Sequence, residues 1–599
     1  MPQRDTSKDA KGLKIWLINR FNQSTLFLFL FKHWPEFGRL VNKWAITRAI
    51  DKIPPRPHPL VCGWDYTTWE GLTNRGWSGR HLPPKKAPDD LPSPHTVAQT
   101  LFAREGEMIE SRKSTLLFPY FAQWFTDGFL VADQVDRRRN LSNHDIDLSQ
   151  LYGLNPETTA LIRTFEGGRL KSQLINQGEF PPYLYDGKVP DDELWRIKPE
   201  FRQQRRTYED YVNLGEQFLQ VTPPANTAGH PYAEGDKVQL DQRMFPLAFP
   251  PYSPEQPPHL SFNELTLTGS AQRFARHHEH WFAMANDRAN STPAFVMLNV
   301  LMLREHNRIA ALLEHQYKGD RNWNQSKAYF DERIFQTTRN ILTVIVIKIV
   351  LEEYINHISP YAFDLFVDPP RFFKPMPWKW TNWMTVEFNI LYRWHSMIPD
   401  NLTVGGETLP SIDTLWNTQL IINRGLAPMF NDTSKQVAGR IGAKNTWDFL
   451  VHMAEAPTVQ MGRDAEIATY NDYRALCGMQ RVDAFNQVTG DSTIQSALQE
   501  LYGTPDRIEF FTGLLAEDVR PNAALGPLAG TLVAADAFSQ ALTNPLLHKR
   551  TFTPKTFSEV GWNILQEKQT LEALVKRNTV NDYDGDYHIQ MTRRDWQRE

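Results

Sequence analysis

Apolar residues recur along this 599-residue chain at the three- and four-residue spacing of amphipathic helices, and the strict alternation of half-buried strands is scarce. The pattern predicts a mainly α-helical protein. Residues 341–351 form the most apolar run of the second half. That run carries Lys348 and leads into Glu352 and Glu353, so it reads as a buried core helix. The early run 26–31 is too short to span a bilayer. Proline-rich joints at 54–59, 83–94, 250–258 and 369–377 punctuate the chain, and no repeat of solenoid length appears.

The first fifty residues differ in character from the rest. Leu13, Leu17 and Phe21 fall four apart beside Trp16 and Ile18, with Lys11, Lys14 and Arg20 as polar partners. Phe37, Leu40, Val41 and Trp44 share a second helical face, with Arg39 and Lys43 elsewhere; LFLFLF followed by Lys32, His33 and Trp34 lies between the two stretches. Short apolar helices bearing tryptophan and edged with Lys and Arg suit the interface of a bilayer. Packing on the main body is the commoner use of the same pattern.

A hydrophobic content of 41% supports a substantial core, and a net charge of -4 gives no footing for a nucleic-acid partner. Two cysteines, Cys62 and Cys477, exclude a disulfide framework and suit a reducing compartment. The opening MPQRDTSKDAKG lacks the layout of a secretory signal.

Three segments carry candidate chemistry. In EFNILYRWHSMIPD (387–400), a helix would put Tyr392 and His395 on one face. A neutral imidazole is a good axial ligand for haem iron, and a phenol one turn away is placed to lose an electron. An ordinary aromatic helix with a core histidine fits the same spacing. In FPYFAQWFTDGFL (118–130), Gln123 and Asp127 are four apart among aromatic residues, and such a polar pair is costly to bury without a task. Asp127-Gly128 also reads as a helix end. In NDRANSTPAFVMLNVLMLREHNR (286–308), Arg288 precedes an apolar helix ending in Arg304, Glu305, His306 and Arg308, a cluster that reads as a structural ion-pair network. The nearby histidines His277, His278 and His280 lack the spacing of two ligands on one helix face and read as a solvated surface.

Taken together and in order, these segments resemble the cyclooxygenase branch of the haem peroxidase superfamily. LYRWHSMIPD resembles its radical-tyrosine and proximal-histidine segment, LREHNR is a recurring superfamily string, and FAQWFT resembles the distal haem helix. TTWEGL (67–72), LPPKKAPDDLPSP (82–94), DIDLSQLYG (145–153), GRDAEIATYNDYR (462–474), ELYGTPDRIEFFTGLL (500–515) and AFSQALTNPLL (537–547) extend the likeness over nearly the whole chain. The resemblance implies a large helical catalytic domain over 54–599, with membrane-binding amphipathic helices over 1–53. It also implies a haem b. Tyr392 then corresponds to the radical tyrosine and His395 to the iron ligand. Tyr354 corresponds to a tyrosine hydrogen-bonding the radical residue, and Tyr361 and Arg48 to the pair that receives the substrate carboxylate. Ser539 corresponds to the channel serine, and Trp394 and Phe388 to channel wall.

The resemblance further implies a fatty-acid dioxygenase: an unsaturated fatty acid and dioxygen as substrates, a monotopic seat on a membrane surface, on the cytoplasmic side, and a homodimer as one candidate assembly. The missing epidermal-growth-factor-like module suggests a bacterial-type relative. One departure stands out. The family's distal histidine is Asp127 here, while Arg288, sixteen residues before Arg304, has the spacing of a distal arginine that cyclooxygenases lack. The expectation is a modified distal site built from Gln123, Asp127 and Arg288. Two rival readings stay open: a peroxidase or peroxygenase, and a non-catalytic lipid-binding homologue on a membrane surface.

Overall fold

The computed structural model describes residues 23–52, 76–133, 136–184, 198, 201, 278–286, 288–379 and 381–598. Its centre is the helix Pro293–Tyr317, which packs on Lys327–Ile349, Leu117–Asp127, Leu426–Lys435 and Leu571–Thr579. Local chemistry sets where this helix begins. Thr292 is the N-cap, its hydroxyl accepting from Phe295 N–H, and Pro293 fills the first helical position, where its missing N–H costs nothing. From Pro293 to Asn307 every residue is buried, polar ones included.

The buried charged residues and the histidine of that helix are all bonded. Arg304 pairs with Asp582 at 2.8 Å and donates to the carbonyls of Glu179 and Asn578. Glu305, fully buried, receives Arg308 and Arg577 at 2.8 and 2.6 Å and the Asn578 amide at 2.8 Å. His306 bridges Tyr152 Oη and the Gly168 carbonyl, and burial pushes its pKa down to about 3. The LREHNR string is therefore a structural network, as its charge pattern suggests. The segment 341–351 likewise belongs to a core helix. The stretch Lys327–Ile358 is apolar and long enough to cross a membrane, yet 78% of its most apolar window is buried inside the protein.

Strands are few among the described residues. Glu110–Thr115 pairs antiparallel with Val437–Gly439 across a register shift, and two short hairpins complete the set. The hairpin Asn401–Val404/Glu407–Pro410 turns on Gly405 and Gly406 at φ +65° and +91°, which glycine adopts without strain.

Two π-turns interrupt the helical pattern, Val350–Tyr354 and Val451–Glu455. Extra residues in a helix re-aim its side chains, and such turns gather at functional sites. At the N-terminal end, Thr25–His33 and Pro35–Ile50 form two short helices. Pro35–Ile50 lies against Pro527–Thr543, and Asn42 is stitched to the Phe366 backbone through both its amide and its carbonyl. The earlier amphipathic stretch around Leu13–Phe21, like Cys62, His277 and the TTWEGL string, lies outside the described residues.

Replacing Glu305 tests the buried network. Its burial pushes the carboxyl pKa up, but the bonds from Arg308 and Arg577 outweigh that and leave it lowered. Its contribution is thus present across neutral pH and is lost as pH falls below the ordinary glutamate range. Glu305→Ala strands two arginines and should cost about 3–5 kcal/mol in denaturant melts at pH 7. A loss below about 1 kcal/mol would show that the network contributes little.

Candidate functional site

The segment around Tyr392 is not one continuous helix, which corrects the helical premise for the Tyr392–His395 spacing. Thr385 caps a short helix, Val386–Leu391, that stops before the tyrosine. Tyr392 is the C-cap, at φ -93° and ψ 26°; Trp394 sits at φ -103° and ψ 44°; and His395 opens the 3-10 turn His395–Met397. Backbone contacts clamp this turn. Ser396 is fully buried, and its carbonyl approaches Gly439 so closely that a Cβ there would meet it at 2.1 Å. Asn445 also donates to that carbonyl, and Ser396 Oγ receives Gly442 N–H.

His395 Nδ1 lies 3.1 Å from Glu455 Oε2, and Glu455 Oε1 receives the Thr446 hydroxyl at 2.8 Å. The carboxylate can only accept, so the ring proton belongs on Nδ1 and the lone pair on Nε2. Glu455 is 0% exposed and His395 23% exposed, so the ring reaches from packed protein into open space. Sequence reasoning missed Glu455. It ends the π-turn Val451–Glu455, sixty residues from the histidine, and no local pattern announces it.

The helix Leu117–Asp127 lies nearby, its Phe118 stacked on Trp394. Ten of its eleven residues are buried; the exception is Gln123, in its middle, which is exposed. Asp127, one turn on, is held from two sides: Arg288 reaches Oδ1 at 2.5 Å and the Asn286 amide donates to Oδ2 at 2.9 Å. Asn286 Oδ1 in turn receives the backbone N–H of Arg288 at 2.8 Å. The helix ends at Asp127, so the residue is at once a helix terminus and half of a buried ion pair. Asn286 is a further residue that sequence reasoning did not single out.

Arg393 ties the two sides together. Its guanidinium donates to Asn389 Oδ1 at 2.5 Å and lies within electrostatic reach of Arg137, Arg288, Glu455 and Asp127. Burial, then the two arginines, pull its pKa down to about 10 against the opposing carboxylates. A half-buried imidazole with its lone pair on Nε2 and a slot of open space before it, and three arginines against two carboxylates around Arg393, fit what a porphyrin dianion with an axial ligand requires.

An aromatic stack adjoins this slot. The Tyr392 ring packs edge-on against Phe388 at 4.7 Å and lies over Trp394 at 4.9 Å; Phe118 stacks on Trp394 at 5.5 Å and on Tyr354 at 5.3 Å. The hydroxyls of Tyr392 and Tyr354 are buried side by side, and their mutual hydrogen-bonding interaction raises the Tyr354 pKa beyond what burial does while partly offsetting the rise that burial gives Tyr392. Burial raises the Tyr392 pKa, and the nearby Asp536 carboxylate adds to the shift. Asp536 is itself paired with His81 at 3.0 Å, and its carbonyl receives the Ser539 hydroxyl. Arg48 and Tyr361 form a separate pair. Arg48 is exposed, stacks over Trp44 at 5.4 Å, and partly offsets the rise that burial gives the Tyr361 phenol.

An imidazole with its lone pair on Nε2, the polar group of Gln123, Asp127 and Arg288, and a phenol nearby are the kinds of residue that a haem-peroxidase type of site uses. The chain belongs to the animal haem peroxidase family, whose model matches residues 251–590. Prostaglandin G/H synthase 1 of Mus musculus is 27% identical, covering 97% of this chain and 86% of that protein. Prostaglandin G/H synthase 2 of Bos taurus is 26% identical over 92% and 80%. Fatty acid alpha-dioxygenase of Oryza sativa shares the fold with a TM-score of 0.61 at 14% identity, covering 98% of this chain and 97% of its own. Peroxidase A of Dictyostelium discoideum does so at 0.57 and 16%, over 89% and 99%. The protein is a haem-dependent oxidoreductase with a mainly helical, cyclooxygenase-like fold.

Removing the partner of His395, the candidate iron ligand, should register in haem binding. Glu455→Gln is expected to weaken haem affinity about 10–100-fold in titrations of the haem-free protein. Unchanged affinity would mean that Glu455 does not orient His395.

Proposed function

We propose that this protein is a fatty-acid dioxygenase in which Tyr392, as a phenoxyl radical, removes hydrogen from an unsaturated fatty acid so that dioxygen can add to the resulting carbon radical. The observation that carries this reading is the Tyr392 phenol itself: its hydroxyl buried beside that of Tyr354, its ring stacked on Trp394, and its position three residues from an imidazole braced by a buried carboxylate. Its hydroxyl has another phenol as neighbour, and its ring lies over the Trp394 indole at 4.9 Å. The prostaglandin synthase relatives support the same reading.

Bound haem would supply the oxidising equivalent when it meets peroxide. The protein's own residues do the rest. His395, braced by Glu455, would hold the iron. Gln123, Asp127 and Arg288 would face the peroxide, with the Asp127 carboxylate taking and returning its proton in place of the family's histidine. Arg48 and Tyr361 would receive the fatty-acid carboxylate through a charge-assisted bond, while Phe388, Trp394 and Ser539 flank the reacting region and fix one hydrogen toward Tyr392.

A seat on a membrane surface accompanies this reading. Leu26, Phe29, Trp34, Leu40 and Trp44 are all substantially exposed within two adjoining helices. Such a density of bare apolar surface, edged by Lys32, Arg39 and Lys43, suits the interfacial layer from which a fatty acid would enter.

Oxygen-electrode assays with C16 to C20 unsaturated fatty acids test the reaction directly. Tyr392→Phe should keep its haem spectrum and lose oxygen uptake, since only a hydroxyl is removed; uptake at the wild-type rate sinks the mechanism. Asp127→Asn keeps the shape but weakens the pairing with Arg288. It should slow haem oxidation by hydrogen peroxide at least tenfold in stopped flow and lengthen the lag before oxygenation, while leaving the later steady rate much less changed. Equal rates of haem oxidation would reduce Asp127 to a structural helix terminus.

A further inference from the structure

Two cavities meet at Ile390 and Phe511, and neither is walled by Gln123, Asp127 or His395. The larger holds about 140 Å³ between Leu91, Ile390, Val459, Ile467 and Phe510. Its rim carries Lys85, Lys86 and Pro88, all exposed, so it begins at the surface. The smaller holds about 10 Å³ and continues from Ile390 and Phe511 to Leu391, Trp394 and Ala529. Trp394 lies 4.9 Å from the Tyr392 ring. A line of voids therefore runs from the surface to the wall of the tyrosine site, starting among residues other than the Arg48–Tyr361 pair.

The chemistry of the walls says what could use this line. The outer cavity is lined mainly by aliphatic and aromatic side chains with Thr458, Thr469 and Thr512 among them, and the inner one by Leu391, Ile441, Leu514 and Leu525 with Arg393 and Glu517 at its wall. The charges at the rim are matched among themselves: Lys85 with Asp472 at 2.6 Å, Lys86 with Asp89 at 2.9 Å, Arg463 with Glu509 at 2.6 Å, Arg507 with Asp90 at 2.8 Å, and Asp506 with Arg481 at 2.9 Å. No rim charge is left over for a carboxylate or an amine. Mostly apolar cavities take up small apolar guests. The inner void is about the size of a single water-sized sphere, too small to seat a lipid chain.

We infer that these cavities are the entry route for dioxygen, separate from the path of the fatty acid. The inference rests on the dioxygenase reading above, because only a reaction that consumes dioxygen needs such a supply. A separate path has a physical advantage. A fatty acid filling its own tunnel would block a gas arriving from the same side, whereas a diatomic guest can partition into side-chain-lined voids and approach past Leu391 and Trp394.

Gly462 offers a clean test. It lines the larger cavity within the helix Ala456–Asp464, and a Cβ placed there would meet only Ile390 Cδ1, at an ordinary 3.8 Å. Any ordinary side chain is a better helix former than glycine, so Gly462→Leu should fold while filling the void; Gly462→Ala, which adds one methyl, serves as the mild control. With haem-loaded enzyme, Gly462→Leu should lower kcat/KM for dioxygen at least fivefold, with Gly462→Ala falling in between. KM for the fatty acid and kcat at saturating oxygen should hold. Crystals pressurised with xenon should show the gas in the wild-type cavity and not in Gly462→Leu. If wild-type enzyme consumes no dioxygen, the dioxygenase reading fails and this route with it. If it does and the Leu variant keeps its kcat/KM for dioxygen, the route alone is overturned. A shift in preferred fatty-acid length with oxygen kinetics unchanged would overturn it too, by assigning the cavity to the acyl tail.

Discussion

The hydrogen bond from His395 Nδ1 to the buried Glu455 settles two matters together. It fixes the tautomer, leaving Nε2 as the only lone pair, and it fixes the plane of the ring. Because Glu455 is wholly buried and its second oxygen is taken by Thr446, the imidazole has little room to rotate. The open space in front of Nε2 is thereby defined, with Tyr392 three residues earlier in the chain. Metal ligands depend on such outer partners nearly as much as on themselves.

The surrounding helices hold this arrangement by accounting for their buried polar groups. Arg304, Glu305 and His306 lie in the middle of the molecule, and each is bonded, so the central helix can run through the core without stranded charge. On the distal side, Asp127 and Arg288 satisfy each other, with Asn286 as a third member. That pair occupies the position at which the family resemblance leads one to expect a histidine. The two π-turns serve the same end by different means: each ends on a residue of the site, Tyr354 in one and Glu455 in the other.

Much of this was legible in the sequence, and the exceptions share a cause. Helical periodicity identified the fold class and the buried 341–351 helix, and the charge pattern of LREHNR identified an internal network. Collinear motifs pointed to Tyr392, His395, Gln123, Asp127 and Arg288, and the last two meet as an ion pair. What the sequence hid was non-local or non-periodic. Glu455 contacts a histidine sixty residues away from a π-turn that no period announces. Asn286 contributes through a loop. Tyr392 and His395 look like neighbours on a helix, but the helix ends at Leu391 and a tight turn brings His395 into place.

The central claim is that hydrogen leaves the fatty acid for an oxygen-centred radical on Tyr392. Rapid-freeze electron paramagnetic resonance on the haem-loaded protein tests it most directly. Peroxide should raise a tyrosyl signal that is absent from Tyr392→Phe. Anaerobic addition of an unsaturated fatty acid should replace that signal with the hyperfine pattern of a carbon-centred lipid radical. A tyrosyl signal that survives in Tyr392→Phe, or one that the fatty acid leaves unchanged, would contradict the account.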